Sequence, residues 1–198
     1  MSQKHRSYFN HIADGWRNNP PPTQFVDNLI EFDIRANDVV LDVGCGAGCA
    51  TGQIVKAQPE AVTIAVDVSE KMLAAAKRNL DDGNARFMCS DACSLGLRSS
   101  SVQKIICYST FPHLKNQQAA LGEFFRILAP GGKILIYHNC CSRRLNTYHA
   151  QINDIVAFDK LPKAERLADM LRQSGFENIN VVEQPKLYHI LALKGENA

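Results

Sequence analysis

The segment Val39-Val40-Leu41-Asp42-Val43-Gly44-Cys45-Gly46-Ala47-Gly48 carries an apolar run straight into three glycines at alternate positions. A short apolar run stopped by glycine reads as a buried strand, and the glycines as a tight turn into a helix. Glycine at these places lets the backbone reach φ > 0 and lets a ligand approach where a Cβ would collide. The helix that follows offers unpaired N–H groups, so a nucleoside-bearing cofactor fits the turn. Spacing separates the kinds of turn. A dinucleotide fingerprint needs a glycine three residues after Gly46, where this chain has Cys49. A phosphate-binding P-loop needs Lys-Ser or Lys-Thr after its last glycine, and neither follows Gly48. On turn chemistry alone, a plain strand-to-helix connection remains the alternative.

Strand and helix signals alternate from about residue 23 onward. After the polar, proline-rich Asn18-Asn19-Pro20-Pro21-Pro22, the residues Phe25, Val26, Leu29 and Ile30 recur at helical spacing. Buried strands are expected at 39–45, 62–68, 85–90, 104–109 and 133–138, the third being weakly patterned. Helical patterns fill 69–80 and 116–128, the first opened by the capping residue Ser69. Leu128-Ala129-Pro130-Gly131-Gly132 should stop the second helix, and a last helix over 163–174 should end at Gly175. Two closing apolar stretches, 179–183 and 188–193, are joined by Gln184-Pro185-Lys186, which permits an antiparallel pair but no crossover helix. That order gives an α/β protein, a doubly wound and mostly parallel sheet with helices on both faces. With 198 residues, of which 45% are apolar, one domain over 23–198 preceded by a short segment 1–22 accounts for the chain.

Composition narrows the partners. A net charge of +2 is too weak to argue for nucleic acid, and Arg143-Arg144 reads as an exposed helix start. No apolar run approaches the roughly 20 residues of a membrane span, and Met1-Ser2-Gln3-Lys4-His5-Arg6 lacks the apolar stretch of a signal peptide. A cytoplasmic protein is expected. Seven cysteines without a secretion signal then imply reduced thiols. Cys45 with Cys49 and Cys89 with Cys93 are four apart, and Cys140-Cys141 is vicinal, a pattern open to soft metals or arsenic. No tetrahedral ligand spacing occurs, so no metal is expected.

Four elements in order resemble the class I S-adenosylmethionine-dependent methyltransferases of the small-molecule type. They are Leu41-Asp42-Val43-Gly44-Cys45-Gly46-Ala47-Gly48, the acid Asp67 ending the next strand, Ser90-Asp91-Ala92 after the third, and Pro130-Gly131-Gly132 before the fifth. The resemblance covers about residues 23–195 and implies a Rossmann-like sheet of seven strands, the last antiparallel and placed beside the fifth. It further implies S-adenosylmethionine as cofactor, held by Gly44, Gly46 and Gly48, by Asp67 and Val68 at the ribose, and by Asp91, Ala92 and Met72 around the adenine. Asp42 would orient the methionine end, and Tyr108 would wall the pocket. Several of these residues have plainer readings. Asp67 also suits a helix N-terminus, Met72 at apolar spacing suits a core, and a buried Asp42 needs a partner in any case.

Methyl transfer from a sulfonium needs mainly proximity and in-line alignment, so the absence of a catalytic triad does not argue against it. The acceptor side is expected after the fourth and fifth strands. Tyr108-Ser109-Thr110-Phe111-Pro112-His113 lacks the Asn/Asp-Pro-Pro-Tyr/Phe element of family members acting on planar amides and exocyclic amines, which sets DNA adenine aside. His113 and His138 are candidate bases, because imidazole titrates near neutrality. Phe111, Arg143, Asn146 and His149 are candidate acceptor contacts, the last three spaced by three and so near one helix face. Tyr8 and Trp16, also candidate acceptor contacts, belong to an aromatic segment that folds as a lid in similar enzymes and should pack on substrate, on the sheet edge or on a neighbouring subunit, as in a homodimer. With little material beyond this core, a small-molecule acceptor is expected. The alternatives are a protein that binds S-adenosylmethionine without transferring its methyl group, and a nicotinamide-dependent Rossmann enzyme.

Overall fold

The computed structural model describes residues 3–16, 20–80 and 85–197. Met1 and Ser2 of the polar N-terminus, and Asn18 and Asn19 of the proline-rich entry, lie outside them. The apolar runs form β1 (Val39–Val43), β2 (Val62–Asp67), β3 (Ala85–Cys89), β4 (Val102–Tyr108), β5 (Leu128–His138), β6 (Phe176–Gln184) and β7 (Leu187–Lys194). One sheet contains them in the order β3-β2-β1-β4-β5-β7-β6. Pairings from β3 to β5 are parallel, and β7 runs antiparallel to both β5 and β6. The helices are α1 (Gln3–Ile12), α2 (Thr23–Glu31), α3 (Cys49–Ala57), α4 (Glu70–Asn79), α5 (Gln117–Ile127), α6 (Ser142–Ala150) and α7 (Ala164–Gln173).

The central strands are apolar at consecutive positions because both faces are covered. Leu41, Ile105 and Ile134 enter a core with Phe124 and Leu167, whereas their neighbours Val40, Ile106 and Leu135 enter a second core with Phe25 and Ile54. Successive side chains of a strand point to opposite faces, so runs of this kind need helices on both. β3, at the sheet edge, has no fully buried residue, which is why its signal was weak. β6 and β7 join through Pro185-Lys186, with Gln184 opposite Leu187.

One expected boundary moves. Pro130-Gly131-Gly132 does not act as a turn ahead of the fifth strand but lies within β5, whose Leu128 already pairs with Val102 while Lys133 pairs with Lys104. Proline cannot continue α5, and the backbone turns extended at Leu128. The glycines then absorb a bulge: Gly131 has φ +72°, and a Cβ on Gly132 would stand 2.8 Å from the Ala129 carbonyl oxygen.

Neither α6, after Cys141, nor α7, after Lys163, has a side-chain cap of its own. Glu183 of β6 caps both. Its Oε1 accepts the backbone N–H and hydroxyl of Ser142 at 2.8 and 2.6 Å, and its Oε2 accepts the Ala164 N–H at 2.8 Å. Partial burial opposes the charge, yet these donors leave the carboxyl below its ordinary range. Glu183→Ala should therefore cost about 2–3 kcal/mol, two caps and a hydroxyl partner being lost together. The contribution is present above the unfolded glutamate value and disappears as pH falls through the lower folded one. Urea denaturation of both proteins at neutral pH and near pH 3 checks both the magnitude and its loss in acid.

Candidate functional site

Strand order reverses between β1 and β4, and ligands of open α/β sheets collect at the carboxyl ends of strands flanking such a point. A cavity opens there, partly continuous with solvent. The glycine turn forms its floor, and each glycine answers a different demand. Gly44, at φ +67°, faces Thr110, whose Oγ1 donates to the Gly44 carbonyl at 2.9 Å. Gly48, at φ +92°, is the left-handed N-cap of α3 and packs on Leu80. Gly46, at φ +53°, faces space: among the described residues a Cβ there would meet only Trp16 Nε1, at 4.0 Å. It is Gly46, then, that leaves room for a ligand.

Asp67, at the tip of β2 and 8% exposed, lines the cavity beside this glycine. Its Oδ2 accepts the Gly46 N–H at 3.0 Å and its Oδ1 accepts the Ser69 N–H at 2.8 Å. Burial pushes the carboxyl up, and those two N–H groups work against that shift. Asp67 thus does serve the start of α4 with one oxygen, but each carboxylate oxygen has further lone-pair capacity for a ligand hydroxyl. Met72, Tyr108 and Trp16 also line the cavity. Cys45 and Cys49 line it as neutral thiols, since burial pushes Cys49 up to about 11 and Cys45 well above its ordinary value. Tyr108 is steadied by Asn139, whose Nδ2 donates to its hydroxyl at 2.8 Å.

Other candidates stand elsewhere. Asp42 is 1% exposed behind the turn, where its expected partner is Thr51, donating at 2.6 Å; burial pushes the carboxyl up to about 7. Val68 is half-buried, Asp91 accepts the Cys93 N–H at 2.9 Å in the turn after β3, and Ala92 joins the core; none of them lines the cavity. Phe111 is wholly buried in that same core. Tyr8 faces an outer groove with Asp154 and Ile155, whereas its neighbour Phe9 faces the cavity.

On the acceptor side the structure gathers histidines around Asp159, a residue that no local sequence pattern marks. His113 Nδ1 lies 2.6 Å from Asp159 Oδ2, His5 Nε2 lies 2.9 Å from Oδ1, and His149 Nδ1 lies 3.1 Å from the Asp159 carbonyl oxygen. Of these, His113 lines the cavity. His138 does not: it is 2% exposed at the end of β5, edge-on to Tyr188, and burial lowers it to about 3, so it stays neutral and out of reach of a substrate. On α6, Arg143 is exposed, while Asn146 and His149 turn inward to pin the 159–161 segment. Among the described residues, no group of three or more His, Cys, Asp or Glu side chains is arranged to hold a metal ion.

α1 lies over one rim of the cavity. Asn10 Oδ1 accepts the Ser69 hydroxyl at 2.6 Å and the Lys71 N–H at 3.2 Å, and Arg6 pairs with Glu70 at the start of α4.

Residues 40–132 match the family described as a methyltransferase domain. Over residues 40–132 the chain carries a methyltransferase domain, set within a Rossmann-like sheet. It is 28% identical over 152 residues to the O-methyltransferase cnsE of Penicillium expansum, covering 73% of this chain and 54% of that one. It is 30% identical over 138 residues to an uncharacterised methyltransferase of Schizosaccharomyces pombe, covering 68% and 53%. The chain spans about half the length of these curated relatives. The structure of Haemonchus contortus phosphoethanolamine N-methyltransferase 2 with phosphomonomethylethanolamine and S-adenosylhomocysteine superposes with a TM-score of 0.74 at 17% identity, over 89% of this chain and 54% of that one. At that identity the likeness establishes the fold. Among the described residues no helix is long and apolar enough to cross a membrane.

Proposed function

We propose that this methyltransferase binds S-adenosylmethionine in the cavity over the glycine turn and transfers its methyl group to a small-molecule acceptor. The observation that carries the reading is the cradle of Gly46 and Asp67: a glycine whose missing Cβ leaves ligand space, beside a cavity-facing carboxylate. Such a carboxylate accepts ribose hydroxyls, and Met72 with the ring of Tyr108 offers apolar contact to a purine. When bound, S-adenosylmethionine supplies an electrophilic methyl group on sulfur. The chain's own residues then hold the cofactor and exclude water, with the segment 1–22 acting as a lid through Phe9 and Trp16. The cnsE and Haemonchus enzymes, named for methyl transfer to oxygen and to nitrogen, support a small acceptor without choosing its atom. Free thiols throughout the chain suit a reducing cytoplasm.

Incubating the protein with a metabolite extract and trideuteromethyl-labelled S-adenosylmethionine should give a labelled small molecule by mass spectrometry. Efficient labelling of RNA or protein with none in metabolites would overturn the acceptor class. Asp67→Ala should weaken S-adenosylhomocysteine binding by about 1–3 kcal/mol, the loss of hydrogen bonds to a charged acceptor. Unchanged affinity in calorimetry would remove Asp67 from the site.

A further inference from the structure

The cavity holds one histidine, and that histidine is oriented from behind. His113 presents one edge of its ring to the cavity and turns Nδ1 toward Asp159, which is 8% exposed in the connection between α6 and α7. A carboxylate partner on Nδ1 fixes the neutral ring with its proton there and leaves the Nε2 lone pair for another group. Burial opposes the charge of Asp159, but hydrogen bonds from His113 and His5 hold its carboxyl below the ordinary range, so it is ionised at neutral pH. The other groups facing His113 are Phe9 of α1, edge-on at 5.2 Å, and His149 of α6, at 5.1 Å between ring centroids. Asp67 of β2 and His138 of β5 also lie within electrostatic reach of this ring. The same carboxylate that orients His113 also grips His5, so α1 is fastened to the acceptor side as well as to α4.

We infer that Asp159 is a positioning residue that holds His113 as general base, that His5 of α1 completes this arrangement when the N-terminal helix lies over the cavity, and that the acceptor is a planar molecule methylated on a hydroxyl. The inference rests on the methyltransferase reading above. A base suits a hydroxyl acceptor, since a neutral O–H must lose its proton whereas a thiolate needs no such help. The planar class follows from the walls, since the aromatic rings of Phe9 and Trp16 line the cavity beside His113. In the step, His113 Nε2 takes the hydroxyl proton while the oxygen lone pair forms the new O–CH3 bond. The C–S bond breaks, its electron pair stays on sulfur as a neutral thioether, and Asp159 faces the imidazolium until the proton passes to water.

The test is nitrogen-15 NMR of the histidine rings in the full chain with S-adenosylhomocysteine as probe, alongside calorimetry of that probe. The neutral His113 ring of the wild-type protein should favour the Nδ1-protonated form by at least about tenfold, the bias a hydrogen bond to a charged group supplies. Asp159→Asn should remove the bias while probe affinity changes less than about twofold. His5→Gln should leave the probe bound and weaken the bias. An Nε2-protonated His113 in the wild-type protein, or a bias that survives Asp159→Asn, overturns the inference even if the probe binds. Failure of the probe to bind the wild-type chain defeats instead the cofactor reading on which it rests.

Discussion

Gly44→Ala should lower stability by about 3 kcal/mol, the sum of a left-handed backbone penalty and an overpacked neighbour. A Cβ there would stand 2.2 Å from Thr110 Cγ2 and 2.3 Å from its Oγ1, at a backbone φ of +67°. Thr110 would have to move and give up its hydrogen bond to the Gly44 carbonyl. For a chain of this size that is a fall in Tm of about 10 °C. Thr110→Gly in the same chain should recover part of the loss, because the collision goes and the strain at φ remains. A melting temperature unchanged by Gly44→Ala would mean that the turn is not built as described.

Gly46→Leu should separate binding from folding. Its side chain would enter the cavity, where among the described residues only Trp16 stands within 4 Å of the new Cβ. The backbone penalty is about 1–2 kcal/mol, so the fold should survive. S-adenosylhomocysteine affinity should fall at least about 100-fold, roughly 2.7 kcal/mol. Calorimetry checks the binding and thermal melting checks the fold. Retained affinity would place the ligand away from the turn, whereas loss of folding would make Gly46 structural like Gly44.

These two glycines show how far the sequence reaches. The alternation of apolar runs with helical patterns was enough for seven strands and for the closing antiparallel pair, because buried parallel strands and short connections leave local signatures. The same alternate glycine spacing at Gly44, Gly46 and Gly48 says nothing about which of them faces a ligand. That depends on Thr110 and Leu80, which the fold brings in from distant parts of the chain. Asp67 was legible as an acid at a strand tip, and its double attachment to Gly46 and Ser69 was not.

The acceptor side was least legible. His113 and His138 look equivalent as histidines at strand ends, yet one lines the cavity and the other is sealed beside Tyr188. Arg143, Asn146 and His149 do recur at helical spacing, but Asn146 and His149 spend their polar atoms on the backbone of the 159–161 segment. Asp159 sits 46 residues from His113 and 154 from His5, so no local pattern could join them. Glu183 escaped notice for the same reason, a strand residue capping two helices from outside both.

The central claim is that the Gly44–Gly48 turn with Asp67 holds S-adenosylmethionine. Isothermal titration of the wild-type chain with S-adenosylhomocysteine and, separately, with NADH tests it most directly. The account predicts one equivalent of S-adenosylhomocysteine bound and no heat from NADH; binding of NADH with none of S-adenosylhomocysteine would contradict it.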